Sequence, residues 1–206
     1  MRPPAVILAG GRSSRMGRGD KCLLPLGGKM ILTRIVETLA PQVSDLLINA
    51  NGDATPFDRY GYAVEPDSIT GSQGPLAGLL TGMQWSRRRH PKAAYILSVP
   101  SDTPLLPTDL VTRLAEALTW RRADIAIAES AEGTHPTIGL WPVDLAAKLE
   151  FDLMETDIRS VHRWMHQFKV ATARFESHAL LNLNTPAELA ACEMLVQGGA
   201  AAWAVA

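Results

Sequence analysis

The chain has 206 residues, of which 47% are hydrophobic and 20% charged, with a formal net charge of −1. Apolar material on this scale supports the core of one globular domain over residues 1–206. A near-neutral balance argues against a broad nucleic-acid or anionic-membrane surface, so any positive field must be local. The two cysteines, Cys22 and Cys192, are far apart and form no metal-ligand spacing, which favours reduced thiols. Met-Arg-Pro-Pro runs straight into the first apolar stretch without a signal-peptide pattern, and no segment is long enough for a bilayer, so a soluble cytoplasmic protein is expected.

Ala5 to Leu8 is an apolar run too short for a helix, ending at a glycine pair, as a buried parallel strand does when it feeds an open loop. That loop carries glycines at 10, 11, 17 and 19 and the cations Arg12, Arg15, Arg18 and Lys21. Glycine lets the backbone approach a ligand with its N–H groups, and Arg and Lys supply charge, so the loop suits a polyphosphate. Neither Gly-x-x-x-x-Gly-Lys-Ser/Thr nor Gly-x-Gly-x-x-Gly occurs in this turn.

After a hydrophobic turn region from Leu23 to Gly28, Ile31, Ile35, Val36 and Leu39 recur at helical spacing, and Pro41 ends that helix. Asp45 to Asn51 reads as a second buried strand and Gly61 to Pro66 as a third. A Gly- and Ser-rich loop, expected to be mobile, follows from Ser68 to Gly74, and Pro75 opens a helix running to Arg88. Ala94 to Val99 is the clearest central strand and leads into Pro-Ser-Asp-Thr-Pro at 100–104. Thr108 is placed to cap a helix over Asp109 to Trp120. Then come a strand over Asp124 to Ala128 and another over His135 to Trp141. Helices are expected over Val143 to Leu153 and Ile158 to Phe168, with an edge strand over Lys169 to Phe175. Leu180 to Leu183 is a short strand-like run, and a last helix spans Pro186 to Val196, stopped by Gly198-Gly199. The tail over 198–206 has no capping or pairing signal and is expected to fray.

Strands alternating with helices imply a Rossmann-like α/β fold, three layers (α/β/α) around a mostly parallel sheet. Ligands of such sheets sit at the carboxyl edge of the strands. Leu8-Ala9-Gly10, Asn49-Ala50-Asn51, Glu65-Pro66-Asp67 and Pro100-Ser101-Asp102 each end a predicted strand, so all should meet on one rim.

Asp102 ends the most hydrophobic strand, where a charge adds nothing to folding. It reads either as a Mg²⁺ ligand beside substrate phosphates or, with Thr103, as a helix cap. Asn49 and Asp67 fit base or ribose recognition, since a carboxylate can accept from guanine N1–H and N2–H₂; ordinary turn chemistry is the other reading. Gly74-Pro75-Leu76-Ala77-Gly78 suits an anion, a flat ring or close helix packing. Asn182 and Asn184, alternating on a strand and so sharing a face, could touch acceptor and metal, or cap the helix that Pro186 opens. His135 reads more readily as a satisfied loop histidine than as a catalyst. Arg87-Arg88-Arg89-His90 suits a helix C-terminus.

Leu-Ala-Gly-Gly-x-Ser-x-Arg-Met-Gly followed by Asp-Lys resembles the signature loop of the nucleotidylyltransferases, and in its Leu-Ala-Gly-Gly form that of the molybdenum cofactor guanylyltransferases. Cytidylyl and sugar relatives more often carry Leu-Ala-Ala-Gly. Pro-x-Asp-Thr-Pro at 100–104, the Gly74–Gly78 block, His135-Pro136-Thr137 and Asn182-Leu183-Asn184-Thr185-Pro186 follow in the family order. The resemblance covers Leu8 to about Leu189. It implies GMP transfer from GTP to the terminal phosphate of molybdopterin or Mo-molybdopterin, with Mg²⁺ on Asp102. It also implies nucleotide contacts at Leu8, Ala9, Gly10, Gly11, Lys21, Asn49, Asp67 and Asp102, catalysis by Arg15, Lys21 and Asp102, and an acceptor site at Gly74, Gly78, Asn182 and Asn184. Molybdenum-insertion proteins and client molybdoenzymes or their chaperones are the implied partners.

Overall fold

The structure is a computed structural model that describes residues 1–10, 21–69 and 74–199. Gly11, Arg12, Arg15, Arg18, the centre of the 68–74 loop and the tail beyond 199 lie outside the described residues. In chain order it contains β1 (Ala5–Leu8), β2 (Pro25–Leu26), β3 (Lys29–Met30), α1 (Ile31–Leu39), β4 (Leu46–Asn49), β5 (Ala63–Glu65), α2 (Pro75–Arg89) and β6 (Tyr95–Pro100). There follow α3 (Leu110–Arg121), β7 (Ile125–Ser130), β8 (Gly133–Pro142), α4 (Ala146–Glu155), α5 (Val161–Met165), β9 (Val170–Arg174) and α6 (Pro186–Gly199). Among the described residues no helix is long and apolar enough to cross a membrane.

Seven strands form one sheet in the order β5-β4-β1-β6-β8-β7-β9. β8 alone runs against its neighbours, inserted between β6 and β7, so the sheet is mostly parallel as expected. The short apolar runs are buried on both faces, and their period of two divides them between two cores. Ala5, Ile7, Leu46, Ile48, Leu97 and Val99 join the residues of α1 and α3 on one face. Val6, Leu47, Ile96, Ile125 and Ile127 join those of α2 and α4 on the other. These are the three layers that the alternation of strand and helix implies.

Local departures have identifiable causes. The 23–28 turn region is a hairpin, β2 on β3, whose Gly27 and Gly28 take φ of +54° and +77°, the left-handed pair that a tight two-residue hairpin needs. Thr108 does not cap α3; the boundary residue is Asp109, without a side-chain cap bond. The side chain of Gln42, just beyond α1, serves instead, accepting from Val111 N–H at 3.1 Å and donating to Pro107 O at 3.0 Å. α5 is shorter than 158–168 because Ser160 caps it, accepting from Arg163 N–H, while the Arg159 guanidinium takes up Thr156 O and Ile158 O outside the helix. The last helix continues through Gly198 to Gly199 rather than stopping before them.

Candidate active site

β5, β4, β1 and β6 run parallel and end side by side. Leu8 is in register with Asn49 on one side and Pro100 on the other, and Asn49 with Glu65. The chain stays knitted beyond the strands: Ala9 N–H donates to Asn49 O at 2.8 Å, Ala50 N–H to Glu65 O at 3.1 Å and Ser101 N–H to Leu8 O at 3.1 Å. Leu8, Ala9, Gly10, Asn49, Asp67 and Asp102 therefore meet on the one rim that the strand ends predicted.

At one side of this rim Asn49 Nδ2 donates to Asp67 Oδ1 at 3.0 Å, and Asn51 Nδ2 to Asp67 Oδ2 at 2.8 Å. Asp67 N–H returns a bond to Asn51 Oδ1 at 2.9 Å. Both carboxylate oxygens are thus oriented by amides, and each keeps a lone pair for a ligand N–H. The sequence places Asn51 on this rim but gives it no role, although it follows Asn49 by two residues and so shares its face of the extended chain. Glycines make room for this network. A Cβ on Gly10 would stand 2.8 Å from Asn51 Nδ2, and one on Gly78 only 2.2 Å from Asn49 Oδ1 and 2.8 Å from Leu8 Cδ2.

Gly78 is buried under these side chains in α2, which is the close-packing alternative and leaves it little surface for an acceptor. Gly78→Ala is expected to push Asn49 off Asp67 and raise the KM for nucleotide by about tenfold, with a stability loss of about 1–3 kcal/mol from overpacking. Steady-state kinetics and urea unfolding check both; an unchanged KM would detach Asn49 from nucleotide binding. Gly74, at the exposed N-terminal boundary of α2, takes φ +68°, and its Cα faces the carbonyl of Arg159, for which a Cβ would stand at 3.5 Å.

At the centre of the rim Lys21 Nζ lies 3.7 Å from Asp102 Oδ2 and donates to Asn184 Oδ1 at 3.1 Å. Among the described residues Asp102 Oδ1 is buried and has no hydrogen-bond partner. Burial pushes the Asp102 carboxyl above its usual range, against the pull of the Lys21 ammonium. An unpartnered buried carboxylate oxygen is costly, and buried polar atoms of this kind are normally satisfied by water, an ion or a ligand. The cap reading fails, because α3 begins at Leu110, well beyond Asp102. A hard cation fits the orphaned oxygen. Among the described residues no group of three or more His, Cys, Asp or Glu could hold a metal unaided. One carboxylate completed by substrate oxygens and water is a Mg²⁺-type arrangement.

Residues 181–184 form no strand, so Asn182 and Asn184 do not share a strand face. Leu183 N–H donates to Asp102 O at 2.9 Å, binding this segment to the rim. Asn182 Oδ1 accepts from Thr103 Oγ1 at 2.6 Å, while Asn184 turns to Lys21. Nor is either one the cap of α6. Thr185-Pro186-Ala187-Glu188 is a capping box: Glu188 N–H donates to Thr185 Oγ1 at 3.2 Å, and Glu188 Oε2 accepts from Thr185 N–H at 2.7 Å and Asn184 N–H at 2.6 Å. Glu188 was missed in the sequence, although Thr-x-x-Glu is a readable signal; it clamps the backbone of Asn184 and so aims that side chain at Lys21.

Residues 5–170 match the family model of the MobA-like NTP transferase domain. The chain belongs to the MobA-like NTP transferase family. A molybdenum cofactor guanylyltransferase of Rhodopseudomonas palustris (strain HaA2) is 44% identical over 196 residues, 94% of this chain and 92% of the relative. Among solved structures, molybdopterin-guanine dinucleotide biosynthesis protein A of Archaeoglobus fulgidus superposes with a TM-score of 0.73 at 18% identity, covering 95% of this chain and 99% of that one. A Mycobacterium tuberculosis H37Rv protein in complex with manganese gives 0.69 at 19% identity, over 93% and 98% of the two chains. These two share the fold. The MobA-like domain match holds the glycine turn, Asn49, Asp67 and Asp102, whereas Asn182, Asn184 and the capping box of α6 lie beyond it.

Proposed function

We propose that this MobA-like protein transfers GMP from GTP to the terminal phosphate of molybdopterin, with or without molybdenum, forming molybdopterin guanine dinucleotide and pyrophosphate. The observation that carries the reading is the buried Oδ1 of Asp102, unpartnered among the described residues, beside Lys21 on the rim that also holds the amide-clamped carboxylate of Asp67. Asp67, oriented by Asn49 and Asn51, accepts guanine N1–H and N2–H₂; a cytosine ring, with one exocyclic amine and no ring N–H, satisfies it less well. Leu8, Ala9 and Gly10 supply backbone at the rim to cover the nucleotide, and Gly11 is assigned to the same contact.

An oxygen of the acceptor phosphate attacks the α-phosphorus in line, the bond to the pyrophosphate oxygen breaks, and no protein nucleophile is required. What this chain contributes is positioning and charge. Lys21, held between Asp102 and Asn184, and Arg15 neutralise the charge that builds as pyrophosphate leaves. Asp102 would hold Mg²⁺, which when bound offsets phosphate charge. Gly74 and Asn182 border the acceptor.

Incubation with GTP, Mg²⁺ and molybdopterin, with the products identified by mass, is expected to give the guanine dinucleotide and pyrophosphate, with CTP a poor donor. Preference for CTP, or for a sugar phosphate as acceptor, would replace the reading with a related transferase. GTP binding without pyrophosphate release would replace it with a non-catalytic carrier.

A further inference from the structure

α6 and the turn before it hold the segment that carries Lys21 in two places, although 163 positions separate Lys21 from Asn184. Leu189, Cys192 and Val196 recur at helical spacing, the stripe that a helix turns towards a core, and they pack on the core that also holds Cys22 and Leu26. Beside that stripe Glu193 Oε1 accepts from Gly27 N–H at 2.9 Å, in the β2–β3 turn. A Cβ on Gly27 would collide with Val196, so the glycine that closes the hairpin also seats the helix. The backbone of Lys21 belongs to the same unit: its carbonyl accepts from Leu24 N–H at 3.1 Å, and Leu24 O accepts from Ile31 N–H at 3.0 Å. The C-terminal half of α6 therefore fixes the backbone from which Lys21 projects.

The opposite end of α6 fixes the ammonium. Asn184 is exposed and lies in neither a strand nor a helix, and a lysine side chain alone is free to take many rotamers. Glu188 removes the first of these freedoms, because its Oε2 accepts from Asn184 N–H at 2.6 Å and from Thr185 N–H at 2.7 Å. With that backbone held, Asn184 Oδ1 takes one of the three ammonium protons at 3.1 Å. The other two are left for Asp102, whose Oδ2 stands 3.7 Å away, and for an incoming anion.

The bond from Asn184 N–H, above all, holds the Glu188 carboxyl below its usual range, so Glu188 is ionised at neutral pH. A second carboxylate this close to Lys21 and Asp102 has two uses that need its charge, as a metal ligand or as a proton acceptor. The observed bonds need something less. Both N–H groups converge on one oxygen, and any oxygen with two lone pairs can receive them.

We infer that Glu188 is a positioning residue for guanylyl transfer: by holding the backbone of Asn184 it sets Lys21 Nζ for the triphosphate before GTP binds, through the geometry of an acceptor oxygen and not through its charge. The inference rests on the guanylyl-transfer reading, in which Lys21 neutralises the phosphates.

A double-mutant cycle with Lys21 separates this role from plain helix capping. Glu188→Ala is expected to lower kcat/KM for GTP about tenfold to a hundredfold, the cost of a misplaced charged group, and to weaken GTP binding measured by calorimetry. Glu188→Gln is expected to return kcat/KM to within about threefold of the wild type, because one amide oxygen can take both N–H groups and Gln serves in capping boxes as Glu does. In a Lys21→Ala background, Glu188→Ala is expected to cost less than about twofold more, since its effect passes through Lys21. An equal loss in both backgrounds would make Glu188 a structural cap and overturn the inference. Glu188→Gln no better than Glu188→Ala would give the role to its charge, and also overturn it. Wild-type protein that binds GTP without forming the dinucleotide would overturn the guanylyl-transfer reading instead; coupling of the two substitutions in GTP affinity would still uphold the positioning of Lys21, and its absence would overturn that as well.

Discussion

Asp102→Asn is expected to lower kcat for guanylyl transfer by about a thousandfold or more while leaving the melting temperature level or slightly raised. The two effects have one cause. Among the described residues one carboxylate oxygen of Asp102 is buried and unpaired, and burial holds its folded pKa above the unfolded value. The folded state then binds the proton more tightly than the unfolded state does, so ionised Asp102 opposes folding. That opposition is absent below the unfolded carboxylate pKa, grows as pH rises through the folded one, and persists at neutral pH. An isosteric amide removes it. The change also forfeits the ion pair with Lys21, which at 3.7 Å contributes no more than about 1 kcal/mol. Thermal melts at neutral pH with steady-state turnover check the prediction. Near-normal kcat would strip Asp102 of its metal role, and a collapse in melting temperature would make it a structural carboxylate.

Lys21→Ala should cut kcat/KM for GTP by about two to three orders of magnitude, the range found when one charge-stabilising donor is removed from a transition state. Lys21 is part-buried, its ammonium set between Asp102 and Asn184, so its position is defined before any nucleotide arrives. Because the triphosphate is already anionic in the ground state, part of the loss should appear as weaker GTP binding by calorimetry. Unchanged affinity together with unchanged turnover would remove Lys21 from the phosphate site. Lys21→Arg should recover only part of the activity, since a planar fork does not reproduce a compact point charge held 3.1 Å from Asn184 Oδ1.

Much of this arrangement is legible in the sequence because the signals are local. Short apolar runs ending in polar residues mark parallel strands, and the rule that such strands expose their carboxyl ends to ligands brings Leu8, Asn49, Glu65 and Pro100 into register. What the sequence hides is pairing at a distance. No pattern around Asp109 reveals that Gln42, in the turn after α1, satisfies the first turn of α3. Gly78 carries the same letters whether it faces a ligand or lies under Asn49, and only the 2.2 Å clearance of an added Cβ decides between them. The alternation Leu-Asn-Leu-Asn points to a strand through Asn184, yet the backbone bond from Leu183 to Asp102 and the clamp of Glu188 prevail over that local pattern. The capping box is legible as Thr-x-x-Glu, although the neighbouring Asn and Pro suggest a simpler cap.

A crystal structure of the protein with Mn²⁺ and a non-hydrolysable GTP analogue tests the central claim most directly. Manganese is expected on the Asp102 carboxylate at about 2.0–2.3 Å, with the phosphates along Lys21 and the guanine edge against Asp67. Manganese and triphosphate bound away from Asp102, or a base turned away from Asn49 and Asp67, would contradict the account.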